Sequence, residues 1–121
     1  MEDDTTLLRR YVDEKSEGAF AELVQRRIGL VYSVALRQCG GDAHLAEDVT
    51  QKVFADLARK APRLCRRPVL SGWLCRSAQF AASDVVRAER RRRVREQETQ
   101  IMQQGAMTTD AVVAGEHLRP V

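Results

Sequence analysis

Asp42-Ala43-His44-Leu45-Ala46-Glu47-Asp48-Val49-Thr50-Gln51-Lys52-Val53-Phe54-Ala55-Asp56-Leu57-Ala58-Arg59-Lys60-Ala61 is the stretch that decides how this chain folds. Asp42 is a helix-capping residue type, because its short carboxylate can accept from a backbone N–H of the first turn. Behind it Ala46, Val49, Thr50, Val53, Phe54, Leu57, Ala58 and Ala61 recur at helical spacing, which predicts one buried stripe. The opposite face carries Glu47, Asp48, Gln51, Lys52, Asp56, Arg59 and Lys60. Taken alone, that face is a solvated surface, with Asp48–Lys52 and Asp56–Lys60 pairs at four-residue spacing supporting the helix.

The pattern extends in both directions. Upstream, Cys39-Gly40-Gly41 stops an earlier helix that starts at the cap Ser16 and runs to about Gln38. Its stripe is Phe20, Leu23, Val24, Leu30, Val31, Val34 and Ala35, interrupted by the stem of Arg27. Before it, residues 5–14 follow a cap at Asp3 or Asp4 and place Leu7, Leu8, Tyr11 and Val12 on one face. Downstream, Pro62 and Pro68 bracket Arg63, Leu64, Cys65, Arg66 and Arg67, a stretch expected to break the helix and form an exposed basic loop. Ser71 is then expected to cap a fourth helix, with Leu74, Ala78, Ala81, Val85 and Ala88 facing inward. After Gln97 the stripe fades, so residues 98–121 are expected to form a flexible linker or tail. The fold expected is all-α: a small four-helix bundle over residues 1–97, with helices two, three and four forming the core and helix one packing across them.

Composition narrows the function. The 121 residues are 44% apolar and 31% charged, enough for one compact domain. Neither a long apolar run nor a signal peptide is present, so a soluble cytoplasmic protein without membrane insertion is expected. Cys39, Cys65 and Cys75 are odd in number and form no close pair, and His44 and His117 are far apart, which speaks against disulfides and against a metal site. There is no phosphate-binding glycine loop, no nucleophile elbow and no metalloprotease motif. A binding module with no catalytic residues, no metal and no cofactor is expected.

Charge is distributed unevenly. Residues 1–60 hold nine basic and eleven acidic side chains, residues 61–96 ten and three, and residues 97–121 one and three. The positive segment suggests a polyanion contact on one side of a mildly acidic body. Within it, Trp73, Phe80 and the arginines at 63, 66, 67, 76, 87, 90, 91, 92, 93 and 95 combine planes on which unpaired bases stack with cations that track phosphates. Trp73 equally suits a core anchor at a helix start. The run Arg90, Arg91, Arg92, Arg93 is self-repelling unless anions neutralise it.

Two ordered motifs carry a resemblance. Asp42-Ala43-His44-Leu45-Ala46-Glu47-Asp48-Val49-Thr50-Gln51-Lys52-Val53-Phe54 resembles the D-A-x-x-A-E-D-x-x-Q-x-V-F signature of extracytoplasmic-function sigma factors of bacterial RNA polymerase. Gly72-Trp73-Leu74-Cys75-Arg76-Ser77-Ala78, followed by Asp84-Val85-Val86-Arg87, is similar to the family's W-L-x-R-I-A-x-x-x-x-x-D-x-x-R segment. Ala19-Phe20-Ala21-Glu22-Leu23-Val24 resembles the run typical of its second helix. The resemblance covers about residues 5–96 and is to the family's region 2 domain.

This resemblance implies a transcription initiation factor that binds core RNA polymerase at its beta-prime clamp helices through Glu47, Asp48, Gln51 and Lys52. It implies that the loop 63–71 and the start of the fourth helix face the non-template strand of the minus-ten promoter element, and the residues expected to contact DNA are Arg63, Arg66, Arg67, Trp73, Arg76, Phe80, Arg87, Arg90, Arg91, Arg92 and Arg93. Holding an extruded base costs a few kcal/mol, which stacking and backbone contacts must offset. An anti-sigma factor is a further implied partner. The chain departs from the pattern at Lys52, where the family usually has an acid, and at Gln79-Phe80, where it usually has Arg-Asn. The family normally continues into a helix-turn-helix domain, region 4, which residues 98–121 are too few to encode, so a fragment or truncated product is expected. Two other readings stand beside this one: a basic helical nucleic-acid-binding adaptor, and a protein-interaction module held by an anti-sigma partner.

Overall fold

In the computed structural model, which describes residues 2–67 and 69–107, the chain forms four helices in the order α1 (Asp4–Glu14), α2 (Glu17–Gln38), α3 (Ala43–Leu64) and α4 (Leu70–Met107). No strand occurs among the described residues. The all-α expectation holds. Residues 108–121, the rest of the expected tail, lie outside the described residues.

The first three helices begin where capping chemistry places them. Asp3, Ser16 and Asp42 each accept from the backbone N–H three residues on, at 2.8 Å (Thr6), 3.1 Å (Ala19) and 3.2 Å (Leu45). At the other end of α2, Gly40 N–H donates to Arg37 O (3.2 Å) and Gly41 N–H to Leu36 O (2.9 Å), while Gly40 sits at φ +64°. This pair of crossed bonds around a left-handed residue satisfies carbonyls that the helix end leaves open, and glycine adopts that backbone without a Cβ penalty.

Contacts divide the chain into two units, residues 1–86 and residues from 87 on. In the first, α1 packs on both α2 and α3, and α2 packs on α3. The core runs through Leu7, Leu8, Leu23, Val31, Val49, Val53, Leu57 and Leu74, all essentially inaccessible to solvent. The stripe read from 42–61 is buried as expected, with Ala58 half-buried. Arg27, which breaks the apolar stripe of α2, pins α1 to α2 by donating from Nε to Asp4 Oδ2 at 2.6 Å. Its neighbour Arg26 donates to Glu22 at 2.8 Å.

Three expectations need correction. α3 does not stop before Pro62: it passes through the proline to Leu64, and Cys65 N–H still reaches Ala61 O at 2.9 Å. The extra turn carries Leu64 (3% exposed) and Cys65 (7%) into the core. Burying a leucine side chain contributes about 1.5–3 kcal/mol, comparable with the ~3 kcal/mol an interior proline costs, so packing can override the breaker. Secondly, α4 starts at Leu70, and Ser71 is its second residue rather than its cap. Leu70 is buried because it opens the four-residue series Leu70, Leu74, Ala78, Ala82 that faces the core. Ala82 therefore takes the inward position, and Ala88 is exposed instead of inward. Thirdly, α4 continues past Gln97, where the apolar pattern fades, as far as Met107.

In the second unit α4 is exposed from residue 90 to residue 103, including Val94, Ile101 and Met102. The three thiols are free, Cys39 and Cys65 buried and Cys75 half-buried. Burial, aided by the nearby Asp42 carboxylate, pushes the Cys39 thiol up from its ordinary value.

Candidate nucleic-acid interface

The end of α3 and the start of α4 flank a groove. α3 lends Asp56 and Lys60, the connection lends Arg67, and α4 lends Trp73, Arg76, Ser77, Phe80, Ala81 and Asp84. The α4 residues follow the spacing of one helical face, beside the buried Leu70–Ala82 series, which is why a single helix both closes the core and lines the groove. The space is open and measures about 460 Å³. Trp73 is half-buried against the core, whereas Phe80 is 72% exposed. Trp73 packs against the core, as an anchor at a helix start would, and also lines the groove.

Four of the residues expected to contact DNA, Arg67, Trp73, Arg76 and Phe80, are therefore brought together. Arg63 and Arg66 are exposed but do not line the groove. The connection is less open than a freely exposed basic loop. Its arginines are exposed, while Leu64, Cys65 and Leu70 anchor it, and Arg9 Nη2 donates to Cys65 O at 3.5 Å. Lys60, Asp56, Ser77 and Asp84 were not expected in this surface. Ser77 and Asp84 could have been found from their four- and eleven-residue offsets to Trp73. Lys60 could not, since only the packing of α3 beside α4 brings it there.

Charge in the groove is mixed. Asp56 pairs with Arg59, not with Lys60 as four-residue spacing suggested. Among the described residues no carboxylate holds Lys60, Arg67 or Arg76, so these cations remain available to an anion.

Glu47, Asp48, Gln51 and Lys52 are all exposed on the N-terminal half of α3. They share the outward face of α3 with Asp56 and Lys60, because Asp48, Lys52, Asp56 and Lys60 follow one another at four-residue steps, but they lie nearer the start of the helix, whereas Asp56 and Lys60 reach the groove toward its end. The expected Asp48–Lys52 pair does not form. Each side chain of this arc is accordingly open to a partner's polar groups.

The arginine run is split by its own helix. Glu89 Oε1 accepts from Arg92 Nη2 at 2.6 Å and lies 3.5 Å from Arg93 Nε. The hydrogen bond to Glu89, and then its charge, push the Arg92 guanidinium above its already high ordinary value. Arg87, Arg90, Arg91 and Arg95 instead flank Val94 along a different strip of α4. Among the described residues Arg90 and Arg91 have no carboxylate partner. The described residues contain no helix long and apolar enough to cross a membrane, and no cluster of His, Cys, Asp and Glu able to hold a metal ion.

The comparison with family models matched residues 23–92, more than half of the chain, to the model described as sigma-70 region 2. The comparisons with curated proteins and with solved structures gave no match.

Proposed function

The chain belongs to the sigma-70 region 2 family, and from that premise we propose that it binds core RNA polymerase through α3 and engages the minus-ten promoter element through the groove and α4. Glu47, Asp48, Gln51 and Lys52 form the docking face for the polymerase clamp helices. Arg67, Trp73, Arg76 and Phe80 receive the non-template strand, with Arg63 and Arg66 beside them at the connection. Arg87 and Arg90–Arg93 supply cations farther along α4. Within the family, the two sequence motifs point to the extracytoplasmic-function type, working in the cytoplasm and subject to an anti-sigma factor.

The observation that carries this reading is the division of labour along α3. Exposed Glu47, Asp48 and Gln51 lie toward the start of this helix and the groove-lining Asp56 and Lys60 toward its end, so one molecule can hold protein at one end of α3 and nucleic acid at the other. A basic nucleic-acid adaptor would use the same arginines but would have no need of Asp48 and Gln51. Replacing both by alanine separates the readings. Because both side chains are exposed, the melting temperature should change little, with stability shifting by less than about 0.5 kcal/mol. Co-purification with core polymerase should be lost. Retained polymerase binding would sink the docking face, and absence of binding by the unaltered chain would favour the adaptor.

A further inference from the structure

The family match ends at residue 92, yet α4 runs on to Met107, and three exposed large apolar side chains lie on that continuation. Val94 is 47% exposed, Ile101 42% and Met102 74%. Arg87, Val94 and Ile101 follow one another at seven-residue steps, and Arg91, Glu98 and Met102 at steps of seven and four, so these six side chains share one face of the helix. Around Val94 the face is ringed by Arg87, Arg90, Arg91, Arg95 and Glu98. Arg92 and Arg93, which meet Glu89, lie off it. Among the described residues neither Arg91 nor Glu98 has an ion-pair partner. Apolar side chains grouped on an exposed face mark a contact with protein, since phosphates make no use of Val94, Ile101 or Met102.

We propose that this face is the interface through which two copies of the chain pair, with their α4 helices antiparallel about a twofold axis beside Val94. Charge sets the direction. Residues 87–94 hold five arginines and one glutamate, and residues 95–102 one arginine and two glutamates. A parallel pair would set the two basic halves against each other, whereas an antiparallel pair lays the basic half of each helix along the acidic half of the other.

Register follows from the same charges. In a twofold pair, if residue i meets residue j, then j meets i. With the axis beside Val94, Arg91 of each copy meets Glu98 of the other, so both unpartnered ions are satisfied twice over. Val94 then packs on its own copy across the axis, Ile101 over the small side chain of Ala88, and Met102 along the aliphatic stem of Arg87. An axis between Gln97 and Glu98 would match Val94 to Ile101, but it would bring Glu98 close to its own copy, a repulsive contact. Residues 87–103 give a seam about 25 Å long. With six arginines and three glutamates on each side of so short a seam, pairing should be weak and concentration-dependent.

The test is sedimentation of the full chain over a range of concentrations, with no polymerase or DNA present. A monomer–dimer equilibrium is expected. Arg91→Glu and Glu98→Arg should each weaken it about two- to 30-fold, the range that two exposed ion pairs imply, and combining the two changes should restore it. Both side chains are exposed, so circular dichroism should show unchanged helicity in all three variants. Val94→Cys in a Cys75→Ser background tests the axis. It should form a disulfide-linked dimer on mild oxidation, because only an axis beside residue 94 brings its two copies within the ~7 Å between Cα atoms that a disulfide allows. Thr99→Cys in the same background, also exposed but off the face, should not. A chain that stays monomeric at every concentration, a double charge exchange that fails to restore pairing, or equal cross-linking by Thr99→Cys would each overturn the proposal.

Discussion

Glu89→Gln should make the binding of single-stranded DNA more salt-dependent, although it alters no arginine. The reasoning starts from the two guanidiniums on one carboxylate oxygen, Arg92 at 2.6 Å and Arg93 at 3.5 Å. The glutamate side chain is only 20% exposed, against 60% and 66% for its partners, so it is held within the cluster rather than free in solvent. As it stands, the three residues carry a net charge of +1 and can neutralise about one phosphate. With glutamine they carry +2. Each phosphate neutralised on a single strand contributes about 0.7 to the logarithmic salt slope, so the slope should steepen by about 0.7. Over a fourfold rise in salt, that is roughly 2.6-fold more affinity lost. The comparison variant is Arg90→Gln with Arg91→Gln, which removes two cations lacking an acidic partner and should flatten the slope by about 1.4. Fluorescence anisotropy of a labelled single strand, measured from low to moderate salt, reads both numbers. Circular dichroism should show unchanged helicity, since exposed ion pairs contribute little to stability. An unchanged or flatter slope in Glu89→Gln would show that Glu89 does not withhold Arg92 and Arg93 from phosphates.

Two further outcomes test the fold. Gly40→Ala meets no atom within 4 Å of the added Cβ, yet places an L side chain at φ +64°. It should destabilise by about 1–2 kcal/mol in a denaturant titration, and an unchanged midpoint would refute the left-handed stop of α2. Asp3 accepts at the start of α1, and its hydrogen bonds to Thr6, then that from Thr5, hold its carboxyl below the ordinary 3.8. A folded value below the unfolded one gives stability that is present above the ordinary value and lost as pH falls through the folded value. Stability measured against pH should therefore show an acid loss that Asp3→Asn reduces while keeping the cap, because asparagine caps about as well as aspartate. An identical acid profile in the variant would remove Asp3 as a contributor.

Part of the candidate site is legible in residue spacing. Trp73, Arg76 and Phe80 share a face by helical period alone, and Glu47, Asp48, Gln51 and Lys52 lie opposite an apolar stripe. What spacing cannot supply is which elements meet. Lys60 and Arg67 join Trp73 because α3 ends beside the start of α4, a fact of packing between segments that sequence order does not encode. The pairing of Glu89 is legible in three- and four-residue offsets, since an acid just ahead of an arginine run lies within one turn of Arg92 and Arg93.

What the chain dictates locally, it dictates strongly. Asp3, Ser16 and Asp42 cap their helices because a short oxygen-bearing side chain meets an orphan N–H within its own first turn, and Gly40 ends α2 because only its neighbours' carbonyls and its own φ are involved. The apolar period of 42–61 likewise needs no partner to be recognised, only a partner to be buried. The end of α3 is different. Pro62 is a breaker by local chemistry, but Leu64 and Cys65 lie in reach of a core assembled from all four helices, and their burial keeps the helix going for one more turn. Tertiary structure likewise decided that Leu70 opens α4, since the residue that begins a helix can be chosen by the core it fills as well as by the cap before it. Local hydrogen bonds fix where an isolated element would start and stop, and the burial of side chains from distant segments moves those limits wherever the two are of similar size.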